Sequence, residues 1–281
     1  ILKGIEVLRS QKITMGKKTL IFEKEFAKKM GAKYALMVNS GSSANLLASF
    51  AACNPLRKNK FKRGDEVLLP ALCWPTSLWP LVQTGLKPKF VDIDKESLNV
   101  SAESFIKKIT KKTKVIMLIN ILGISGDIDK IVKFAKKKNI IVIEDNCEAL
   151  GAKLNNKFLG TYGNFGTFSF FYSHQITSGE GGMIVCNDKK DYEILHALRS
   201  HGWSRGPNSY KINAKKFPSF DPRYIFINMG FNLRPTEIQA SIARNQFKRF
   251  KKLRFIRTEN RKKIINNIIN DRRYKDQFSF I

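Results

Sequence analysis

Apolar residues recur with a helical period between Leu20 and Met30, at Leu20, Ile21, Phe22, Phe26, Ala27 and Met30, and Gly31 ends the run. The continuous apolar stretch Tyr34 to Val38 reads as a buried strand, and small residues from Asn39 to Asn45 lead from it into an apolar helix over Leu46 to Ala52. Gly64 to Pro70 gives a turn and a strand, a helix then runs to Thr84, and another strand covers Lys89 to Asp92. Val115 to Asn120 predicts a strand, Ile128 to Lys138 a helix and Ile140 to Ile143 a strand. Strand, helix, strand with connections long enough to cross over predicts an α/β fold, with a mostly parallel central sheet flanked by helices. Phe165 to Phe171 and Met183 to Cys186 read as paired strands and Asp191 to His201 as a helix. The polar stretch Gly202 to Pro222 reads as an irregular loop over a site or towards a partner. From Pro235 the pattern predicts one long, basic helix to about Asn270, of the kind that links two domains.

Candidate chemistry falls where these elements join. In Asn39-Ser40-Gly41-Ser42-Ser43-Ala44-Asn45, small residues between a strand and a helix leave backbone N–H groups free at the positive end of a helix dipole, a place for a phosphate or for an ordinary serine cap. Trp74 lies just beyond a strand end, suited either to core packing or to stacking on a ring. Asp145 and Glu148 emerge where a buried strand ends. An acid there implies a cationic partner, with a helix N-cap by Asp145 as the alternative. His174 sits between two strands, beside the glycine-rich Gly179-Glu180-Gly181-Gly182. No lysine occurs from Phe158 to Asp188 in a chain otherwise crowded with them.

Composition narrows the classes. The chain has 281 residues, 43% of them hydrophobic, enough for a large packed core. Its formal net charge of +28 is spread over nearly every surface-like helix, as in Lys107-Lys108, Lys136 to Lys138 and Lys248 to Lys252. No basic stripe interleaved with aromatics and no nucleic-acid-binding motif appears, so a solvated lysine-rich surface is expected and nucleic acid is not. Such a surface also suits an anionic substrate. Cys53, Cys73, Cys147 and Cys186 show no metal-ligand spacing and read as small core residues in a reducing compartment. No apolar run nears the roughly 20 residues of a membrane span, so a cytoplasmic protein without membrane insertion is expected. The chain opens at Ile1 without an initiator methionine and stops at Ile281 after a basic run, so both ends are expected to continue.

Taken together, these stretches resemble the DegT/DnrJ/EryC1/StrS family of sugar aminotransferases within the fold type I, aspartate aminotransferase-like pyridoxal-phosphate enzymes. The resemblance runs from about Gly16 to Gln246. It implies a cofactor-binding large domain over residues 1–250, with 251–281 opening a small C-terminal domain that is largely missing. It assigns the cofactor phosphate to Gly41, Ser42 and Ser169, ring stacking to Trp74, and the protonated ring nitrogen to Asp145. Glu148 stands where the family usually has glutamine or histidine near the ring hydroxyl. Gly230-Phe231-Asn232-Leu233-Arg234 resembles the segment whose asparagine reaches the neighbouring subunit's cofactor, so a homodimer with shared active sites is implied, with Asn232 in that role.

The family's aminotransferases carry lysine at the position of His174. A histidine cannot form the lysine's stable covalent link to the cofactor, yet it can still move protons near neutral pH. That exchange characterises the family's sugar 3-dehydratases. It implies removal of the 3-hydroxyl from a nucleotide-diphosphate-linked 4-keto-6-deoxyhexose, with pyridoxal or pyridoxamine phosphate as cofactor and L-glutamate as amino donor. An iron–sulfur cluster, present in a related dehydrase, is not expected, since Gly202 to Tyr224 lacks cysteine. The alternatives are an aminotransferase with a non-lysine base and a catalytically idle, cofactor-binding regulatory protein.

Overall fold

The computed structural model describes residues 2–57, 61–206, 209–274 and 277–280. The chain begins with α1 (Leu2–Arg9) and α2 (Lys17–Met30), then β1 (Tyr34–Val38) and α3 (Gly41–Ala52). Next come β2 (Glu66–Pro70), α4 (Pro75–Gln83), β3 (Lys87–Val91), α5 (Ala102–Lys107), β4 (Thr113–Ile119), α6 (Ile128–Lys137) and β5 (Ile141–Asp145). A small hairpin of β6 (Lys153–Leu154) and β7 (Lys157–Phe158) precedes β8 (Phe165–Ser169) and β9 (Gly182–Cys186). Helices α7 (Lys189–Arg199), α8 (Ser209–Lys216), α9 (Glu237–Lys248) and α10 (Phe250–Asn270) follow.

Seven strands form one sheet in the order β1-β9-β8-β5-β4-β2-β3. Every neighbouring pair from β3 across to β8 is parallel, and β9 alone runs antiparallel, to both β8 and β1. The mostly parallel α/β sheet expected from the pattern is therefore the observed one. Because successive side chains in a strand point to opposite faces, each strand supplies both layers. Val67, Leu69, Met117 and Ile143 pack with residues of α3, α4 and α7 on one face. On the other, Leu68, Ile116 and Val142 meet α5 and α6, while Met37, Phe168, Met183 and Val185 meet α2 and α9. The carboxyl ends of β1, β2, β4, β5 and β8 consequently converge on one edge of the sheet, where open α/β folds hold ligands.

Several boundaries differ from the sequence pattern. Helix α3 begins at Gly41 rather than Leu46, because Ser40 Oγ accepts from Ser43 N at 3.0 Å and caps it. The small polar residues are its first turn, not a loop before it. The long helix expected from Pro235 is two helices meeting at Arg249. That break lets Phe247 and Phe250 stack at 5.3 Å between centroids and both enter the aromatic core around Phe26. The polar stretch Gly202 to Pro222 contains α8, and its Pro207 and Asn208 lie outside the described residues.

Candidate active site

A cavity of about 720 Å³ opens at the carboxyl edge of the sheet. Gly41, Ser42, Trp74, Asp145, Glu148, Ser169 and His174 all line it, although β1, β2, β5 and β8 bring them from distant parts of the chain. Asn232 does not. It is exposed, and its Oδ1 accepts from Arg234 Nε at 2.9 Å.

One end of the cavity is built for an anion. Of the backbone N–H groups in the first turn of α3, that of Ser43 is used by the Ser40 cap, while those of Gly41 and Ser42 meet no acceptor among the described residues. Ser42 Oγ donates to Thr76 Oγ1 at 3.1 Å, joining this turn to α4. Glycine at position 41 is a packing requirement: a Cβ there would stand 2.5 Å from Ser169 Cβ and 3.1 Å from Cys147 Sγ. Trp74, 71% exposed, caps the start of α4 at the rim and is not a core residue.

Asp145 lies deeper, 6% exposed. Its Oδ2 accepts from Asn45 Nδ2 and Ser77 Oγ, both at 2.7 Å, and its Oδ1 accepts from Cys147 N at 3.0 Å. Thr167 Oγ1 in turn donates to Asn45 Oδ1 at 2.6 Å, fixing the amide that faces the carboxylate. The donors to Asp145 are all neutral, and among the described residues no lysine or arginine forms an ion pair with it. No helix begins here, so the N-cap reading of Asp145 is not the observed one. Its neighbour Glu144 points to the other face, accepting from the N–H groups of Gly160, Tyr162 and Gly163 at 2.6–2.7 Å, and burial pushes its carboxyl above the usual range.

His174 occupies a turn between β8 and β9, half-buried. Burial lowers its pKa below the ordinary 6.5, opposed by the charges of Glu148 and Asp145. A neutral imidazole is therefore favoured, ready to accept a proton. Glu148 is exposed, and its Oε2 accepts from Leu122 N at 2.8 Å. No lysine is among the residues lining the cavity.

Cys73 and Cys147, expected as core fillers, both line the cavity. Burial raises both thiols, with Asp145 adding to it, so neither is a ready nucleophile. Among the described residues no cluster of histidine, cysteine, aspartate and glutamate is arranged to hold a metal, and no helix is long and apolar enough to cross a membrane. His196 is half-buried in α7, while His201 has a left-handed φ of 62°, and neither lines the cavity. None of the described residues from Gly202 to Pro222 lines the cavity. Asn45, Ser77 and Thr167 were not apparent from the sequence. Only the small-residue stretch containing Asn45 gave a local signal.

The profile of the DegT/DnrJ/EryC1/StrS aminotransferase family matches residues 3–277. The chain belongs to this family. Within it, the GDP-4-keto-6-deoxy-D-mannose 3-dehydratase of Yersinia pseudotuberculosis is 45% identical over 245 residues, which are 86% of this chain and 62% of the relative. The chain thus spans less than two thirds of that curated relative's length. Among solved structures, the E. coli GDP-4-keto-6-deoxy-D-mannose-3-dehydratase with bound hydrated PLP superposes with a TM-score of 0.88 at 40% identity, covering 95% of this chain and 69% of that one. A GDP-4-keto-6-deoxymannose-3-dehydratase with a trapped PLP-glutamate geminal diamine gives 0.78 at 40% identity, covering 89% and 65%. These DegT/DnrJ/EryC1/StrS relatives share the α/β architecture described above.

Proposed function

We propose that the protein removes the 3-hydroxyl of a nucleotide-diphosphate-linked 4-keto-6-deoxyhexose, with pyridoxal 5'-phosphate as cofactor and L-glutamate as amino donor. The observation that carries this reading is the cavity's basic group: His174, with no lysine on the wall.

The donor set fits the cofactor. The unpaired N–H groups of Gly41 and Ser42, with Ser169 beside them, suit a phosphate at the N-terminus of α3. The exposed indole of Trp74 suits stacking on a planar ring. Asp145, buried and without a protein cation, suits a protonated ring nitrogen. Glu148, on the cavity wall, would lie towards the ring hydroxyl by the family resemblance. When bound, the cofactor supplies a carbonyl that exchanges for glutamate's amino group and a ring that withdraws electrons.

His174 then has two tasks. It takes the α-proton of glutamate and returns a proton at the adjoining cofactor carbon, and in the second half it removes a proton from that carbon and gives one to the departing sugar hydroxyl. Replacing a C–OH by C–H is a two-electron reduction, and glutamate provides the pair. The sum is sugar plus glutamate giving 3-deoxy sugar, 2-oxoglutarate and ammonia. Asp145 would hold the protonated ring nitrogen.

By the same reading, residues 1–250 form the cofactor-binding large domain and 251–281 open a smaller one, against which the exposed Phe255, Ile256, Ile264 and Ile269 of α10 would pack. Exposed Asn232 serves the neighbouring subunit's cofactor in a homodimer, and the protein works in the cytoplasm without nucleic acid. The first test is the glutamate half-reaction in the full-length protein. Release of one 2-oxoglutarate per active site, lost in His174→Asn, supports it; no release from the unaltered protein would favour a cofactor-binding regulator.

A further inference from the structure

The turn that bears His174 joins β8 to β9. Ser178 N donates to Phe170 O at 3.0 Å and His174 N to Phe171 O at 3.1 Å, which closes the turn on itself. Ile176, 2% exposed, sinks into the aromatic core between the sheet and α2 and α9. Between the base and that anchor stands Gln175, whose Nε2 donates to the backbone carbonyl of Glu148. The amide orientation is set by its partner, since a carbonyl oxygen can only accept. This leaves Gln175 Oε1 buried with no partner among the described residues. Keeping an amide there at the cost of an unmet acceptor points to a use for its N–H.

Glu148 is also where other loops are tied. Its carboxylate holds Leu122 N at 2.8 Å, and Leu122 has a left-handed φ of 54°. The loops after β4, β5 and β8 therefore meet at one residue. A lysine bonded to a cofactor is positioned by that bond, whereas a histidine depends on the turn beneath it. Proton transfer is sensitive to placement, and a shift of about 1 Å can lower a rate roughly 100-fold.

We propose that Gln175 is a positioning residue for His174, strapping the turn that carries the base to the loop after β5. It rests on the reading of His174 as the base. The test compares Gln175→Met, which keeps bulk and loses the donor, Gln175→His, which keeps a ring N–H donor, and His174→Asn, all in the full-length protein. For Gln175→Met the expected result is a kcat lower by about 100-fold. KM for the nucleotide sugar and the Kd for pyridoxal phosphate stay within about twofold, and amide exchange across residues 172–178 is faster. Gln175→His should recover most of the rate.

A kcat for Gln175→Met within about threefold of the unaltered protein overturns the proposal, as does a parallel loss of cofactor affinity, which would make Gln175 a general structural residue. Retained activity in His174→Asn would instead remove the base assignment, and the proposal with it.

Discussion

Asn45 Nδ2 stands 2.7 Å from Asp145 Oδ2, and the same oxygen takes a second hydrogen bond from Ser77 Oγ at 2.7 Å. The carboxyl group is thereby fixed by neutral donors, with no ion pair to a protein cation among the described residues. Ser77→Ala removes one donor from a buried ion, and the cofactor-free protein should lose about 1–3 kcal/mol of stability in urea unfolding. Saturating pyridoxal phosphate should reduce that loss, because the ring N–H supplies a partner. An equal loss with and without cofactor would argue against pairing of Asp145 with the ring.

Gly41→Ala forces a methyl group to within 2.5 Å of Ser169 Cβ. A cost of about 1–3 kcal/mol is expected from overpacking, together with weaker cofactor binding as the first turn of α3 shifts. Ser169→Gly in the same chain should restore part of the stability. Denaturant midpoints of the single and double variants measure the coupling.

Burial lowers the pKa of His174, with Glu148 opposing it. A base with a lowered pKa stays unprotonated to lower pH, so the acidic limb of kcat/KM should lie below pH 6.5. Glu148→Gln keeps an acceptor for Leu122 N while removing the opposing charge, and should move the limb further towards acid. A shift in the alkaline direction would contradict the assignment of that limb to His174.

His196 offers a separate pH test, on stability. Burial, with Arg199 adding to it, takes its pKa from 6.5 to about 4 in the fold. The unfolded chain therefore binds the extra proton between these values. Stability is full above about pH 6.5 and falls as pH drops towards 4, by about 3 kcal/mol from this group. Urea titrations at stepped pH should show that slope, and His196→Gln should flatten it.

Much of the site was legible because strand ends mark themselves. Asp145, Trp74 and His174 each follow a short apolar run, and crossover connections bring such ends to one edge. Short continuous apolar runs, buried on both faces of the sheet, likewise made β1, β4 and β5 plain. The residues that hold Asp145 were not legible, since Ser77 and Thr167 lie in an apolar helix and strand, where a lone hydroxyl carries no local signal. The break at Arg249 was hidden for a related reason: helical spacing continues on both sides, and only the tertiary pull of Phe247 and Phe250 into one core separates the helices. Cys73 and Cys147 read as core because small thiols look alike whether they face a core or a cavity.

The most direct test is the fate of the sugar. The full-length protein, loaded with pyridoxal phosphate, is given glutamate and GDP-4-keto-6-deoxymannose, and the products are resolved by mass and NMR. The account predicts a 3-deoxy-4-keto sugar without nitrogen, with one ammonia and one 2-oxoglutarate released for each hydroxyl lost. Accumulation of a 4-amino sugar that keeps its 3-hydroxyl would contradict it.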